Sequence, residues 1–182
     1  MPEKPDISKS FHFETIERGS YVYKIGSGQL GVPGTVKTHR SKSQQSRVSS
    51  GTGDDAGHLI GDRFGAPGGV ENLGPQNWIQ NQYGTFRQLE NMWETRLKQD
   101  TAIRVLVEDV FRKDASGHRE DRPFMRRVEW DETLKTGVTV HHELVFANAQ
   151  TAKSRDARGI EGTVAPGNVA KVYDFFSRRR IG

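Results

Sequence analysis

The sequence contains no cysteine. This absence excludes disulfide bonds, thiolate zinc sites and thiol nucleophiles, so any bound metal must be held by His, Asn, Asp or Glu side chains. No apolar run approaches the length of a membrane-spanning helix, and residues 1–10 lack the apolar centre of a secretory signal. We therefore expect no membrane partner, and a delivery route other than a signal peptide of its own if the protein leaves its cell.

Apolar residues are also scarce, since hydrophobic types make up 33% of the 182 residues and charged types 27%. Such a chain is polar for a globular protein, yet it is long enough to bury a core. The 27 Lys and Arg residues outnumber the 23 Asp and Glu residues, which gives a net charge of +4. This balance favours a polyanionic partner without proving one, because ordinary basic proteins have the same charge.

Periodicity in the sequence predicts an α+β fold with an antiparallel sheet. Strands are expected where apolar and polar side chains alternate, in residues 11–13, 21–25, 103–107, 124–130 and 138–146. The main helix is predicted over residues 85–99, because Phe86, Leu89, Trp93 and Leu97 fall on one helical face. Thr85 and Gln88 form a capping box at its start.

These elements predict one domain of 182 residues. Its segments are an N-terminal arm (1–10), a basic loop (38–54), a ββα segment (55–99), a sheet (102–148), a connector (151–167) and a short C-terminal helix (168–180). The glycine-rich residues 65–69 are expected to form the turn between the two strands of the ββα segment. Trp93 and Trp130 fit core faces, and the adjacent His141 and His142 point to opposite faces of a strand, so they cannot easily chelate one ion.

His58 is the first candidate for chemistry. A neutral imidazole can take a proton from water near pH 7, so a histidine beside a phosphate can act as a general base. Gly57 before it allows a tight turn or a close approach of phosphate. A structural histidine at a strand end is the alternative, and for this short segment taken alone it is the better interpretation.

The neighbourhood reverses that preference. Three motifs resemble, in their order along the chain, those of the DNA/RNA non-specific endonucleases of the ββα-metal fold. They are Asp55-Ala56-Gly57-His58, Asn72-Leu73-Gly74-Pro75-Gln76, and Asn81 ahead of a helix that contains Glu90. The resemblance is detailed over residues 55–94 and looser over residues 102–148. Four motifs together are similar to the branch of that family found as toxin domains in bacterial competition systems: Gly-His-Leu-Ile at 57–60, Asp-Arg-Phe-Gly at 62–65, Asn-Leu at 72–73 and Glu-Asn-Met-Trp at 90–93.

The resemblance implies a role for each matching residue. His58 would deprotonate the attacking water, and Asn81 would bind a hydrated Mg²⁺, or another divalent cation such as Mn²⁺. Glu90 would orient metal-bound waters, and Asp55 would shape the loop that presents His58. Backup positions around the metal are Asn72, Gln76 and Asn77.

The sequence departs from the family pattern in two places. Ala56 replaces the arginine of the usual Asp-Arg-Gly-His, so a charged group near the phosphate is either missing or supplied by Arg63, Arg87, Arg47 or Arg40. The last three, with Lys42, are also the candidate nucleic-acid contacts. Asn81 and Glu90 are one residue further apart than is usual, which would place them on opposite faces of one unbroken helix. A break near Gly84 would bring them together.

The sequence therefore predicts a metal-dependent endonuclease that cuts DNA with little sequence preference, and leaves RNA open as a further substrate. The alternative is a non-catalytic nucleic-acid-binding domain; an immunity-type or structural protein fits the basic charge less well. If the chain is a toxin, the resemblance also implies a cognate immunity protein. It would then be secreted or delivered into the cytoplasm of a target cell, and be cytoplasmic but inhibited in the producer.

Overall fold

The computed structural model describes residues 2–40, 55–76 and 85–147. Several predicted features lie outside the described residues: most of the basic loop, the possible helix break near Gly84, the connector and the C-terminal helix. Within the described part, no helix is both long enough and apolar enough to cross a bilayer.

The described chain contains seven strands and one α-helix, and it confirms the predicted α+β fold with an antiparallel sheet. In chain order they are β1 (His12–Arg18), β2 (Tyr21–Gln29), β3 (Asp55–His58), β4 (Leu73–Gln76), α1 (Thr85–Leu97), β5 (Ala102–Arg112), β6 (Met125–Thr133) and β7 (Thr139–Ala147). Five strands form a sheet in the order β1-β2-β5-β6-β7, and every neighbouring pair is antiparallel.

Strands β3 and β4 form a separate two-stranded antiparallel ribbon, in which His58 is paired with Leu73. Residues 59–72 connect the two strands through the short 3-10 helices Asp62–Phe64 and Val70–Asn72. The glycine-rich residues 65–69 lie between these short helices, so the predicted turn is confirmed. Gly65 has a φ of 90°, a left-handed conformation that glycine adopts without strain.

The core lies between α1 and the face of the sheet that the ribbon also covers. The four residues predicted for the apolar face of α1 are buried, and they pack against inward residues of β5 and β6: Val105, Val107, Val128 and Trp130. Trp93 is at the centre, with edge-on contacts to Phe64, Phe86 and Trp130 at centroid distances of 6.2, 6.3 and 5.8 Å. Such pairs stabilise by about 0.5–1.5 kcal/mol each beyond the area they bury.

The N-terminal segment, predicted as an arm, packs on this core. Ile7 contacts the core cluster, and Gly31 and Gly65 leave room for it, because a Cβ on either glycine would lie within 2.8 Å of an Ile7 side-chain atom. The backbone N–H of Lys37 donates to the Pro5 carbonyl at 2.9 Å. Residues 5–7 are therefore part of the folded domain.

Candidate active site

His58 is the last residue of β3 and is half-buried. Its Nε2 atom is buried and has no hydrogen-bond partner within the described residues. Burial is the main cause that lowers the pKa of His58 below its ordinary value of 6.5; the Asp62 carboxylate opposes the shift, and the charges of Arg40 and Arg126 add to it. The imidazole is thus held in its neutral form, which is the form that can accept a proton.

Asn72 fixes the loop that follows His58. Its side chain is fully buried, and its Oδ1 accepts from the N–H of Ile60 at 2.9 Å. Its Nδ2 donates to the carbonyls of Ile60 at 2.7 Å and Pro67 at 2.8 Å. Both polar atoms of the side chain are therefore hydrogen-bonded to the backbone, and Asn72 has a structural role. This geometry does not support Asn72 as a backup metal ligand.

Glu90 reaches the same loop from α1. It is only 6% exposed, and its Oε1 lies 2.7 Å from the position that a Cβ on Gly61 would occupy. Gly61, three residues after His58, therefore leaves space for the carboxylate in the position that it occupies. Burial raises the pKa of Glu90, while the charges of Arg63, Arg87 and Arg126 oppose that rise.

Arg63 joins the loop to α1. Its Nη2 lies 3.3 Å from Glu90 Oε2, and its Nη1 lies 3.0 Å from Glu94 Oε2 and 3.1 Å from Asn91 Oδ1. The sequence predicted Arg63 as a replacement for the missing arginine beside the phosphate. The structure shows its guanidinium in contact with the Glu90 and Glu94 carboxylates of α1, and its role beside a phosphate stays a prediction.

Two of the other predicted cationic residues lie within the described chain. Arg87 is 47% exposed on the side chain, with its Nη1 3.9 Å from Glu90 Oε2. Arg40 is exposed and close enough to His58 to lower the pKa of the imidazole. Both are positioned to add positive charge around the His58–Glu90 region.

The remaining predicted site residues lie where the structure describes no side chain. Asn77, Asn81, Lys42 and Arg47 are outside the described residues, and of Asp55 and Gln76 only the backbone is described, as a cross-strand pair of the ribbon. The roles of these side chains, and the effect of the longer spacing between Asn81 and Glu90, stay predictions.

Sequence reasoning missed a buried ion pair beneath His58. Arg126 and Asp109 are 2% and 1% exposed, and Arg126 Nη1 donates to the backbone carbonyl of His58 at 3.1 Å. The signal in the sequence is weak but present: each residue takes an inward position two residues from a buried valine of its own strand, Val107 on β5 and Val128 on β6. A charge there needs a partner.

Within the described residues, one group of side chains could hold a metal ion, namely Glu129, His141 and Glu143. Their ligand atoms lie within 4.8 Å of one another. They point away from His58, because Glu129 alternates along β6 with the inward residues Arg126, Val128 and Trp130. Arg127 Nη2 also contacts both carboxylates of the group, and this positive charge disfavours a cation there.

The two adjacent histidines face opposite sides of β7, as predicted. His141 Nδ1 lies 2.6 Å from Asp131 Oδ1, whereas His142 stacks on the Trp130 ring at a centroid distance of 4.9 Å. The pair therefore does not chelate a single ion.

The structure thus combines an antiparallel α+β scaffold, a half-buried histidine at the end of β3 and a buried carboxylate on α1 that reaches the loop after this histidine. The profile of a family described as DNA/RNA non-specific endonuclease matches residues 31–123, just over half of the chain. The chain belongs to this family, so the resemblance is confirmed and the protein is an endonuclease that hydrolyses phosphodiester bonds in nucleic acid. The family is one of metal-dependent nucleases.

The solved structures that are similar to this chain include two nucleases. One is EndoG in the EndoG/EndoGI complex, with 12% identity over 86% of this chain and 82% of that one, at a TM-score of 0.46. The other is NucA from Streptococcus agalactiae with no metal bound, with 14% identity over 82% of this chain and 76% of that one, at a TM-score of 0.44. No curated protein matches the chain.

Proposed function

We propose that this endonuclease cuts DNA, and RNA as a second substrate, without sequence preference, with His58 as general base and a Mg²⁺ ion at Asn81. The observation that carries the proposal is the buried Nε2 of His58, which has no partner among the described residues and belongs to an imidazole kept neutral by its surroundings. In a buried histidine with a purely structural role, both ring nitrogens normally form hydrogen bonds.

The proposed reaction is an in-line displacement at phosphorus. Nε2 of His58 takes a proton from the attacking water, a new bond forms between the water oxygen and phosphorus, and the bond from phosphorus to the 3′ oxygen breaks. The departing oxygen takes a proton from solvent. A lowered pKa suits His58 to the first step, because the base is already deprotonated at neutral pH.

The residues around His58 fit a hard divalent cation. Mg²⁺ prefers oxygen ligands and keeps several waters, and Glu90 offers a buried carboxylate that can accept hydrogen bonds from such waters; its contact with Arg63 disfavours direct binding of the ion. In the proposal Asn81 binds the ion directly and Glu90 orients its waters. The bound ion would supply positive charge to the phosphate and the departing oxygen.

We further propose that the chain is a toxin domain used in bacterial competition, active in the cytoplasm of a target cell and held inactive in the producer by an acidic immunity protein. Support comes from the resemblance of residues 57–65 to that branch and from the net charge of +4. Opposite charge would speed association between toxin and inhibitor, so that the producing cell is protected quickly.

The test of catalysis is plasmid cleavage by purified protein. Wild type is expected to nick and then degrade supercoiled plasmid with Mg²⁺ but not with EDTA, and His58→Ala and Asn81→Ala are each expected to lose activity by about 100-fold or more. His141→Ala is the matched control, since it removes an exposed histidine from the other face of the sheet. Wild-type cleavage by His58→Ala would overturn the general-base assignment.

A second comparison locates the metal. The double variant Glu129→Gln and Glu143→Gln removes the carboxylates of the opposite face. It is expected to keep the Mg²⁺ dependence of wild type, whereas Asn81→Ala is expected to need far more Mg²⁺. The reverse result would place the catalytic ion on the opposite face and contradict the proposal.

The toxin role is tested separately, in living cells. Expression of wild type in the bacterial cytoplasm is expected to stop growth and fragment the chromosome, and the His58→Ala protein is expected to be tolerated at equal abundance. Arrest by His58→Ala as well would show that toxicity does not come from cleavage, and harmless expression of an active wild type would contradict the toxin role.

A further inference from the structure

Three charged side chains form a row across the sheet beneath the ribbon that carries His58. Lys24 on β2 is the cross-strand partner of Asp109 on β5, and Asp109 is the cross-strand partner of Arg126 on β6. Directly paired residues of antiparallel strands project to the same face, so the three side chains lie side by side. We refer to them as the Lys24–Asp109–Arg126 row.

One end of the row holds the backbone of His58. Arg126 donates through Nε to Asp109 Oδ1 at 2.7 Å and through Nη2 to Asp109 Oδ2 at 2.8 Å. Because the guanidinium is a planar fork, this two-point contact fixes the direction of the remaining nitrogen. That nitrogen, Nη1, donates to the His58 carbonyl at 3.1 Å. Asp109 therefore sets where Arg126 holds β3.

The other end of the row holds the facing strand. Lys24 Nζ donates to the carbonyls of Leu73 and Val70, the latter at 2.7 Å. Since Leu73 is the ribbon partner of His58, the row holds the two carbonyls of one cross-strand pair from below. Gly74 allows the ribbon to lie close to the row, because a Cβ at this position would make a tight contact of 3.2 Å with Asp109 Oδ2.

The stability of the fold does not account for such a row. Burying ionised groups costs free energy, and apolar residues of similar size often stabilise a core as well or better. A row whose two cations bind the backbone of both strands of the ribbon is better explained by precise placement of that ribbon. The same Arg126 guanidinium also lies 4.5 Å from the centre of the Phe86 ring on α1, the helix that carries Glu90.

We propose that the Lys24–Asp109–Arg126 row is a positioning device for His58, which fixes the end of β3 so that the imidazole meets the attacking water in one orientation. This inference rests on the proposed function, in which His58 is the general base. Positioning of this kind matters because a displacement of about 1 Å can cost about 100-fold in rate.

The charge on Arg126 has a second, electrostatic effect on His58. Among the residues that the structure describes, the charged groups that act on the imidazole are Asp62 in the connecting loop, Arg40, and Arg126 from the sheet. Burial lowers the pKa of His58 most, Asp62 raises it, and Arg40 and Arg126 lower it. Loss of the Arg126 charge should therefore raise the pKa of His58, an effect that a purely structural residue would not show.

The chain offers a matched control for Arg126 at the next position. Arg127 is also 2% exposed and also paired with carboxylates, with its Nε 2.7 Å from Glu143 Oε1, but it points to the opposite face of β6. Arg126→Met and Arg127→Met thus remove equally buried cations from the two sides of one strand. Both variants should lower the free energy of unfolding, and only one should affect His58.

The experiment measures kcat and KM on a short duplex across pH, together with an NMR titration of the His58 imidazole, assigned by comparison with His58→Gln. Arg126→Met is expected to lower kcat by about 10- to 100-fold. It should also shift the His58 titration and the acid limb of the rate profile to higher pH. Arg127→Met should leave kcat and both midpoints as in wild type.

Two further variants keep the test decisive if Arg126→Met does not fold. Arg126→Lys keeps the charge but not the fork, so it should restore the His58 titration while kcat stays low. Lys24→Met removes the contacts with Val70 and Leu73 from the other end of the row, and should lower kcat with little change in KM.

Different outcomes overturn different claims. Equal effects of Arg126→Met and Arg127→Met on kcat and on the His58 titration would overturn the positioning role, as would wild-type kcat in Arg126→Lys and Lys24→Met. If His58→Ala remains active, the proposed function itself fails. An inactive His58→Ala beside a normal Arg126→Met would remove only the role of the row.

Discussion

The guanidinium of Arg63 and the carboxylate of Glu90 are separated by 27 residues in sequence, yet Nη2 and Oε2 lie 3.3 Å apart. This contact joins the 3-10 helix after His58 to α1, and it balances the charge of a carboxylate that is almost completely buried. Arg87 also approaches Glu90, but at 3.9 Å and from an exposed position. Arg63 is therefore the closer of the two cations to Glu90, and its charge opposes the rise in the pKa of Glu90 that burial causes.

We predict that Arg63→Met lowers cleavage by about 10-fold or more, in the range found when outer partners of a metal site are lost. Without Arg63, burial is opposed less and the pKa of Glu90 rises further, so the loss of activity should be greatest at acidic pH. The measurement is kcat/KM from about pH 5 to about pH 8 at saturating Mg²⁺.

Lys98→Met is the control for Arg63→Met. Lys98 and Arg63 both pair with Glu94, at 2.7 and 3.0 Å, but only Arg63 also reaches Glu90. The Lys98 variant should cleave as wild type does at every pH. If the two variants behave alike, the pairing with Glu94 matters and the proposed support of Glu90 is wrong.

The elements of this fold were predictable because their side-chain periodicity is local. Alternation in β5 and β6 predicts strands, and the spacing of Phe86 and Trp93 predicts α1, without any knowledge of what packs against them. The order of motifs from His58 to Glu90 likewise predicted the family, because each motif lies within a few residues.

The partners of individual charged residues were not predictable in the same way. The sequence did not predict the contact between Arg63 and Glu90. The two residues are 27 positions apart, and they meet only because the loop after His58 packs against α1. Arg126 and Asp109 break the apolar pattern of their inward faces, and the reason is a backbone carbonyl of His58 that sequence cannot place. Such exceptions to local rules are typical of functional sites.

We predict that Asn72→Ala destabilises the protein by about 2–4 kcal/mol, because it leaves the N–H and C=O of Ile60 and the carbonyl of Pro67 without partners in a buried loop. Urea unfolding monitored by tryptophan fluorescence measures the change. Asn91→Ala is the control; Asn91 is exposed and accepts one hydrogen bond from Arg63, so its loss should change stability by about 0.5 kcal/mol or less. Equal losses of stability in the two variants would contradict the role of Asn72 in fixing the loop after His58.

The last prediction concerns pH. Burial lowers the pKa of His58, so the general base should stay deprotonated below pH 6.5, and the acid limb of the kcat/KM profile should have its midpoint below that value. Asp62 raises the pKa, so Asp62→Asn should move the midpoint to lower pH; Arg40 lowers it, so Arg40→Gln should move the midpoint to higher pH.

The unfolded chain binds a proton at His58 more readily than the folded one, so this group's contribution to stability is present above pH 6.5 and is lost as pH falls toward the lowered pKa. Each profile must therefore be recorded where circular dichroism shows the variant folded. Shifts of both variants in the same direction would mean that the acid limb reports a group other than His58.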